Sequence, residues 1–276
     1  MSNIIKKYEK MNEIETQQLL KSLDERKDID WPYIAGWIDG DGFVGCINRK
    51  NFGLTLKIAD KEPVEMLSTL FLCSMSQEKM DPRPIFLKPP KKRYYVIIRG
   101  QKALFLAKKI APFIMEKTKN LYKTLESFGC YEKFPYMELN DKDFLSYLVG
   151  FSEAEGSFTC NKERSHYYYN LTNTNLNLLK YLEKRLKQFG FFKFEIRSII
   201  KKGFYFFNKK VTDKVIKRKN SYRLEMNGYA LLDFYNLIKD RLIIDRKKQK
   251  VLATIEHYKN YRGIAYDNYM KAKMAL

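Results

Sequence analysis

The block Ile34-Ala35-Gly36-Trp37-Ile38-Asp39-Gly40-Asp41-Gly42 recurs without a gap as Leu148-Val149-Gly150-Phe151-Ser152-Glu153-Ala154-Glu155-Gly156. Each copy is an apolar run with helical character, a glycine inside it, two acids two residues apart and a closing glycine. A glycine in a helix interior costs about 0.5–1 kcal/mol relative to alanine, so Gly36, Gly40 and Gly42 must serve something other than helix propensity. A gapless internal repeat also constrains the fold, because it predicts two structurally equivalent halves.

The repeat continues beyond the block. Val44 and Cys46 follow Asp41 at the offsets at which Phe158 and Cys160 follow Glu155, and alternation puts each pair on one face of a strand. The stretch LTLKIADKEPVEMLSTLF resembles YNLTNTNLNLLKYLEKRL, each a strand followed by an amphipathic helix; YYVIIRGQKALFLAKKI resembles YRLEMNGYALLDFYNLI, with Gly100 answering Gly228. The spacing between equivalents widens toward the C-terminus. This places an insertion in the second half, at the basic and aromatic stretch 201–220, read as a longer hairpin loop. Each half reads helix, strand, strand, helix, strand, strand, helix. The expected class is therefore α+β: two halves related by a pseudo-twofold axis, each an antiparallel sheet with helices on one side. The expected divisions are an N-terminal extension (1–30), a first half (31–135), a second half (136–262) and a C-terminal tail (263–276). Helical spacing and mixed charge in 4–23 predict a helix packed on the body.

Fifty-two Lys and Arg against 32 Asp and Glu give a net charge of +20. Residues 1–30 hold six Lys or Arg and seven Asp or Glu, so the excess lies entirely on the repeated body. A folded basic body is expected to hold a polyanion, and nucleic acid is favoured over lipid because no basic amphipathic helix stands out. No run approaches the ~18 apolar residues of a membrane helix, and no signal peptide is evident. Cys46, Cys73, Cys130 and Cys160 show no zinc spacing and read as reduced core thiols of an intracellular protein.

With helices on one side, each sheet has a second face, and strand alternation names its residues. In the first half they are Ile47, Arg49, Asn51, Thr55, Lys57, Arg93, Tyr95 and Arg99. In the second they are Thr159, Asn161, Glu163, Ser165, Asn170, Thr172, Arg223 and Glu225. Such side chains match the donors and acceptors of base edges in the major groove, although an ordinary solvent-facing sheet is also polar.

Two motif helices with small residues at Gly36/Gly40 and Gly150/Ala154 can pack backbone against backbone. Residues two apart on a helix point in different directions, so one acid of each pair can serve a site at the helix end. The last acids, Asp41 and Glu155, are the natural choice. A carboxylate at the negative end of a helix is unfavourable unless a cation joins it.

The two blocks resemble the signature of the LAGLIDADG homing endonucleases, in the single-chain form with two motifs, over roughly residues 31 to 258. The second copy reads SEAEG where the family name has IDADG. The resemblance implies a monomer that binds a long double-stranded DNA site through two sheets and hydrolyses two phosphodiester bonds. Asp41 and Glu155, with Gly40 and Ala154 beside them, would hold Mg²⁺ or another divalent cation such as Mn²⁺, for which carboxylate oxygens are apt ligands. A two-metal arrangement can supply charge neutralisation, a nucleophilic water and leaving-group stabilisation. The resemblance also implies one lysine per half in the last helix. Apolar spacing pairs Lys117 with Lys247, whereas ungapped alignment pairs Lys119 with Lys247.

His166 and His257 are the only histidines and do not repeat, which argues against a histidine–metal nuclease. KPPKKR (88–93) resembles a nuclear localisation signal but lies in the first half's hairpin region. The alternatives are an RNA-binding intron maturase, with its own intron RNA as partner, and a DNA-binding protein without turnover. Abundant Lys, Asn, Ile and Tyr suggest an intron-encoded protein made inside a chloroplast or mitochondrion.

Overall fold

A computed structural model of the chain describes residues 2–47, 51–79, 92–130, 138–161, 166–191, 194–200, 203–206, 215–218 and 220–261. The chain divides into two compact units, residues 1–151 and 152–276.

In the first unit, α1 (Ser2–Glu25) precedes α2 (Trp31–Asp41), β1 (Gly42–Ile47), β2 (Asn51–Ile58), α3 (Glu62–Phe71), β3 (Met75–Lys79), β4 (Lys92–Arg99), α4 (Gly100–Ile110) and α5 (Thr118–Ser127). The second motif opens α6 (Asp141–Glu155), followed by β5 (Gly156–Asn161), β6 (His166–Asn173), α7 (Leu176–Gln188), β7 (Phe194–Ile200), β8 (Gly203–Phe206), β9 (Val215–Arg218), β10 (Ser221–Asn227), α8 (Gly228–Ile238) and α9 (Asp245–Tyr261). The strands form antiparallel four-stranded sheets in the orders β1-β2-β4-β3 and β5-β6-β10-β7, plus the pair β8-β9. The protein is thus α+β, with one order of elements used twice. The pair β8-β9 falls within residues 201–220, where the sequence reading places the insertion; residues 207–214 between the two strands lie outside the described residues.

The expected order needs one correction. Each half ends on two helices, α4 then α5 and α8 then α9, where the sequence reading has one. In the first half Pro112 lies just past α4 and lacks the N–H that would continue the helix, so α4 stops there although Ala111 itself stays helical.

Period-two burial built the cores as expected. Val44, Leu54, Leu56, Ile58, Val96 and Ile98 are buried on the helix side of the first sheet with Val64, Leu67, Phe71, Leu106 and Ile110. Phe158, Tyr169, Leu171, Leu224 and Met226 do the same in the second with Leu179, Leu182, Leu231 and Phe234. The matched glycines Gly100 and Gly228 both take a left-handed turn, at φ +58° and +61°, between the last strand and the helix that follows. The cysteines depart from the reading: Cys73, Cys130 and Cys160 are free thiols but only half-buried. Cys160 lies near the rim of its strand rather than at the middle of the core face. Helix α1 packs through buried Leu23, a Gln17–Gln101 hydrogen bond and an ion pair between Lys109 and Asp24. Among the described residues, no helix is long and apolar enough to cross a membrane.

Helix α2 starts at Asp30, whose carboxylate accepts from the Tyr33 N–H at 3.0 Å, with Pro32 in the first turn, where its missing N–H costs nothing. The helix is buried from Pro32 to Asp39. Its tight partner is α6. A Cβ added at Gly36 would stand 2.2 Å from the Tyr147 carbonyl oxygen and 2.6 Å from the Phe151 nitrogen. One added at Gly150 would stand 2.1 Å from the Tyr33 carbonyl oxygen. Backbone meets backbone, and neither side has a flexible group to move. Gly36→Ala and Gly150→Ala should each cost about 3 kcal/mol or more, beyond the usual overpacking loss. Urea melts check this; a loss under 1 kcal/mol would mean that the helices can separate freely.

Candidate nucleic-acid interface and motif-end site

The two acids of each motif have separate fates. Asp39 and Glu153 are each 1% exposed, whereas Asp41 is exposed and Glu155 half-buried. Gly40 and Ala154 are half-buried beside the last acids. Positions two apart on a helix diverge in direction, and here they diverge in environment as well.

The buried acids reach the segment ahead of the last helix of their own half. Asp39 Oδ2 accepts from the N–H groups of Met115 (2.6 Å) and Glu116 (3.0 Å), and Oδ1 accepts from that of Lys117 (2.8 Å). The Tyr147 hydroxyl donates to Asp39 Oδ2 at 2.8 Å. Burial pushes the Asp39 carboxyl up, while the three N–H donors and the tyrosine pull it back toward ionisation. All four partners are donors, so they match a carboxylate and leave no acceptor for an acid proton. In the second half, Glu153 Oε1 accepts from the N–H groups of Ile243 (2.9 Å) and Ile244 (2.8 Å), just ahead of α9. A negative group at the start of a helix satisfies orphan N–H donors and opposes the positive end of the dipole.

The lysines answer in the opposite direction. Lys117 Nζ donates to the carbonyls of Ile38 (2.7 Å) and Gly40 (2.9 Å). Lys247 Nζ donates to the carbonyls of Glu153 and, at 3.0 Å, of Gly156, and lies 5.5 Å from the centre of the Phe158 ring. Each motif helix lacks a basic residue in its own last turn, so an ammonium from elsewhere in the half meets its negative end. Of the two first-half lysines, Lys117 is the one at the motif; Lys119 is exposed on α5. Each half therefore closes a reciprocal clasp: the carboxylate reaches the segment ahead of the last helix, and a lysine at the start of that helix reaches back to the end of the motif helix. The sequence carries no local sign of it, because the partners are far apart along the chain.

The bare sheet faces follow the strand register. In the first sheet Ile47 pairs with Asn51, Phe43 with Thr55 and Thr55 with Ile97. Lys57 pairs with Tyr95, and Arg99 ends the same face opposite Gly53. Lys57 Nζ lies 5.8 Å from the centre of the Tyr95 ring and forms an ion pair with Glu78, which itself stands opposite Arg93. In the second sheet Thr159 pairs with Tyr168 and Asn161 with His166, while Asn170 stands between Ser157 and Glu225 and Thr172 opposite Arg223. Arg223 and Glu225 approach to 3.8 Å. The expected positions therefore share a face within each sheet. Asn170 is nevertheless buried, at 7% exposure, unlike its half-buried neighbours Thr172 and Glu225. Sequence reasoning passed over Phe43, 54% exposed, and Tyr168, half-buried, although the same alternation names both. Arg49, Glu163 and Ser165, most of KPPKKR and the C-terminal tail 263–276 lie outside the described residues.

A hard divalent cation fits the donor chemistry at the motif ends: carboxylate oxygens with backbone carbonyls nearby. Among the described residues no three His, Cys, Asp or Glu side chains gather into a metal cluster. Mg²⁺ needs no such cage, since it commonly takes one or two carboxylates and completes its shell with water and phosphate oxygens. The Gly40 carbonyl accepts from the Lys117 ammonium, and Asp41 brings the negative charge that a divalent cation favours.

No family model matches the sequence, and no curated protein matches it. Solved structures to which the fold is similar include the homing endonuclease I-WcaI bound to its DNA recognition sequence, at 15% identity over 85% of this chain and 91% of that chain, with a TM-score of 0.47. They also include the LAGLIDADG homing endonuclease I-GzeII in complex with a DNA target, at 14% identity over 90% and 98%, TM-score 0.44. Full-length DUF199/WhiA from Thermatoga maritima is similar at 15% identity over 94% and 74%, TM-score 0.44. The family that the motif blocks resemble is thus represented among the solved structures that the fold resembles. At such identities and scores, the functional reading stands on the chain's own residues.

The clasp predicts which acid is structural. Asp39→Asn and Glu153→Gln keep the volume but turn an amide N–H₂ toward N–H donors, and should each lower stability by about 2–3 kcal/mol. Lys119→Met, on the exposed face of α5, should stay within about 0.5 kcal/mol of the parent. Denaturant melts of the three variants check the order.

Proposed function

We propose that the protein is a site-specific, divalent-metal-dependent endonuclease that cuts both strands of a long double-stranded DNA site. The observation that carries this reading is the split within each acid pair. One carboxylate is consumed in the clasp, and the other stays at the helix end where solvent reaches it, in both copies of the motif. A carboxylate kept at the negative end of a helix is unfavourable for stability, so its duplication there favours a chemical use.

In this reading Asp41 and Glu155 each hold a cation at the end of their helix. The bound ion would neutralise charge on the scissile phosphate and lower the pKa of its water. Lys117 and Lys247 keep a positive charge beside the acids and offset charge that develops on the phosphate. The sheet faces meet the DNA: Lys57, Arg93, Arg99 and Arg223 contact phosphates or purine edges, while Thr55, Tyr95, Thr159, Asn161 and Thr172 read or pack against bases. The body's net +20 supplies the non-specific part of binding.

One observation favours binding without cleavage, as a DNA-binding protein or an intron-RNA maturase. Both lysine ammoniums are engaged on backbone carbonyls, which is what purely structural lysines would do.

Incubation with a randomised double-stranded DNA library and Mg²⁺, followed by sequencing of cut ends, separates the readings. The expected result is one enriched site cut on both strands, and Asp41→Asn or Glu155→Gln should lower double-strand cutting by at least about a hundredfold. Binding without metal should persist in both variants or tighten slightly, because a negative charge near the phosphates is gone. Enrichment of bound sites with no cutting would establish the non-cleaving reading instead; preferential capture of structured RNA would establish the maturase.

Salt gives a second check. Neutralising about six phosphates would cost roughly a thousandfold in affinity between 50 and 200 mM salt. A flat titration would remove the basic body from the account.

A further inference from the structure

The first-half clasp has a member from outside the first motif. Three of the four donors on the Asp39 carboxylate are N–H groups of consecutive residues, Met115, Glu116 and Lys117, so they travel with the loop. The fourth is the Tyr147 hydroxyl, which comes from α6. Tyr147 is fully buried, and its ring stacks on Phe151 at 5.8 Å between centres and 14° between planes. Its backbone carbonyl is the atom that a side chain at Gly36 would strike. One residue thus touches α2 at the close crossing and also fixes the acid that sets the loop.

The carboxylate and the two carbonyls that receive the ammonium belong to α2, and the three N–H groups to the segment just ahead of α5. Tyr147 adds a bond to that carboxylate from a second helix, itself held to α2 by the glycine contacts. Tyr33 stands at the equivalent place in the first block, where its hydroxyl oxygen accepts from the Trp37 indole N–H at 2.8 Å. Phe151, which answers Trp37 in the repeat, has no such donor.

We propose that Tyr147 is a positioning residue for Lys117: through the Asp39 carboxylate it fixes the loop that delivers this ammonium to the end of α2. Its use in catalysis rests on the endonuclease reading above; its effect on the lysine does not. The helix of the second motif thus helps to set the lysine of the first half.

The test reads the amine itself. Acetylation of the whole protein by an N-hydroxysuccinimide ester at pH 7, without metal or DNA, followed by peptide mass spectrometry, gives a labelling rate for each lysine. In Tyr147→Phe, Lys117 should label at least about threefold faster as the loop opens more often, with Lys247 unchanged. An unchanged Lys117 rate overturns the proposal, and so does an equal rise at Lys117 and Lys247, which would report general loosening. Should Tyr147→Phe fail to fold, 3-fluorotyrosine at position 147 keeps ring and hydroxyl while strengthening the donor. Lys117 should then label more slowly than in the parent, and an unaltered rate would overturn the proposal just the same. On a target found by the library selection, Tyr147→Phe should slow nicking of one strand more than the other at equal bound fraction. A parent protein that cuts no DNA defeats the endonuclease reading and leaves the labelling result to decide this one.

Discussion

The approach of Gly36 to Gly150 is the contact on which the rest of the first unit depends. Two helices that touch through backbone atoms cannot slide or rotate by even one methyl group, because the atoms that would have to yield are carbonyl oxygens and amide nitrogens. Everything at the end of α2 inherits that fixity. The tyrosine that reaches Asp39 can do so only because its own helix lies at backbone distance. The cost in helix propensity that the glycines impose, about 1 kcal/mol each, is returned as positional definition rather than as stability.

Charge is handled in the same spirit. A buried carboxylate and a helix end that carries one further acid would be unfavourable if each stood alone. The clasp pairs them crosswise: the carboxylate meets the positive start of the following segment, and the lysine meets the negative end of the motif helix. Both halves do this with different means. The first uses Asp with the lysine that itself bears the loop's last bound N–H; the second uses the longer Glu with a lysine three residues past the last bound N–H, in the first turn of α9. The extra methylene of Glu153 and the displaced lysine are a matched change, which is why a strict residue-by-residue alignment of the two halves does not settle the lysine register.

Much of this fold was legible in the sequence, for a physical reason. Period-two burial in LTLKI, the matched turn glycines Gly100 and Gly228, and the insertion at 201–220 are local patterns that tertiary contacts then obey. The split between Asp39 and Asp41 was half legible: helix geometry separates their directions, but the partners of the buried one lie 76 to 108 residues away. Backbone N–H groups have no sequence signature, so a carboxylate that binds them leaves no pattern to read. The same blindness affected Lys117 against Lys119, where two residues of alignment separate a motif-end ammonium from an exposed one. Burial of Asn170 and the partial exposure of the cysteines depend on neighbours across the sheet, which alternation along one strand cannot supply.

The boundary between the compact units falls inside α6, between Phe151 and Ser152. A continuous helix thus gives most of its length to the first unit and its last turn to the second. During synthesis the chain emerges at about 5–20 residues per second, N-terminus first, and domains tend to fold as they appear. Here the first unit is missing the backbone surface that covers Gly36 and the hydroxyl that caps Asp39 until α6 has left the ribosome. The close helix contact at Gly36 and the hydroxyl on Asp39 can therefore form only once residues 147–151, within the second copy of the motif, have emerged.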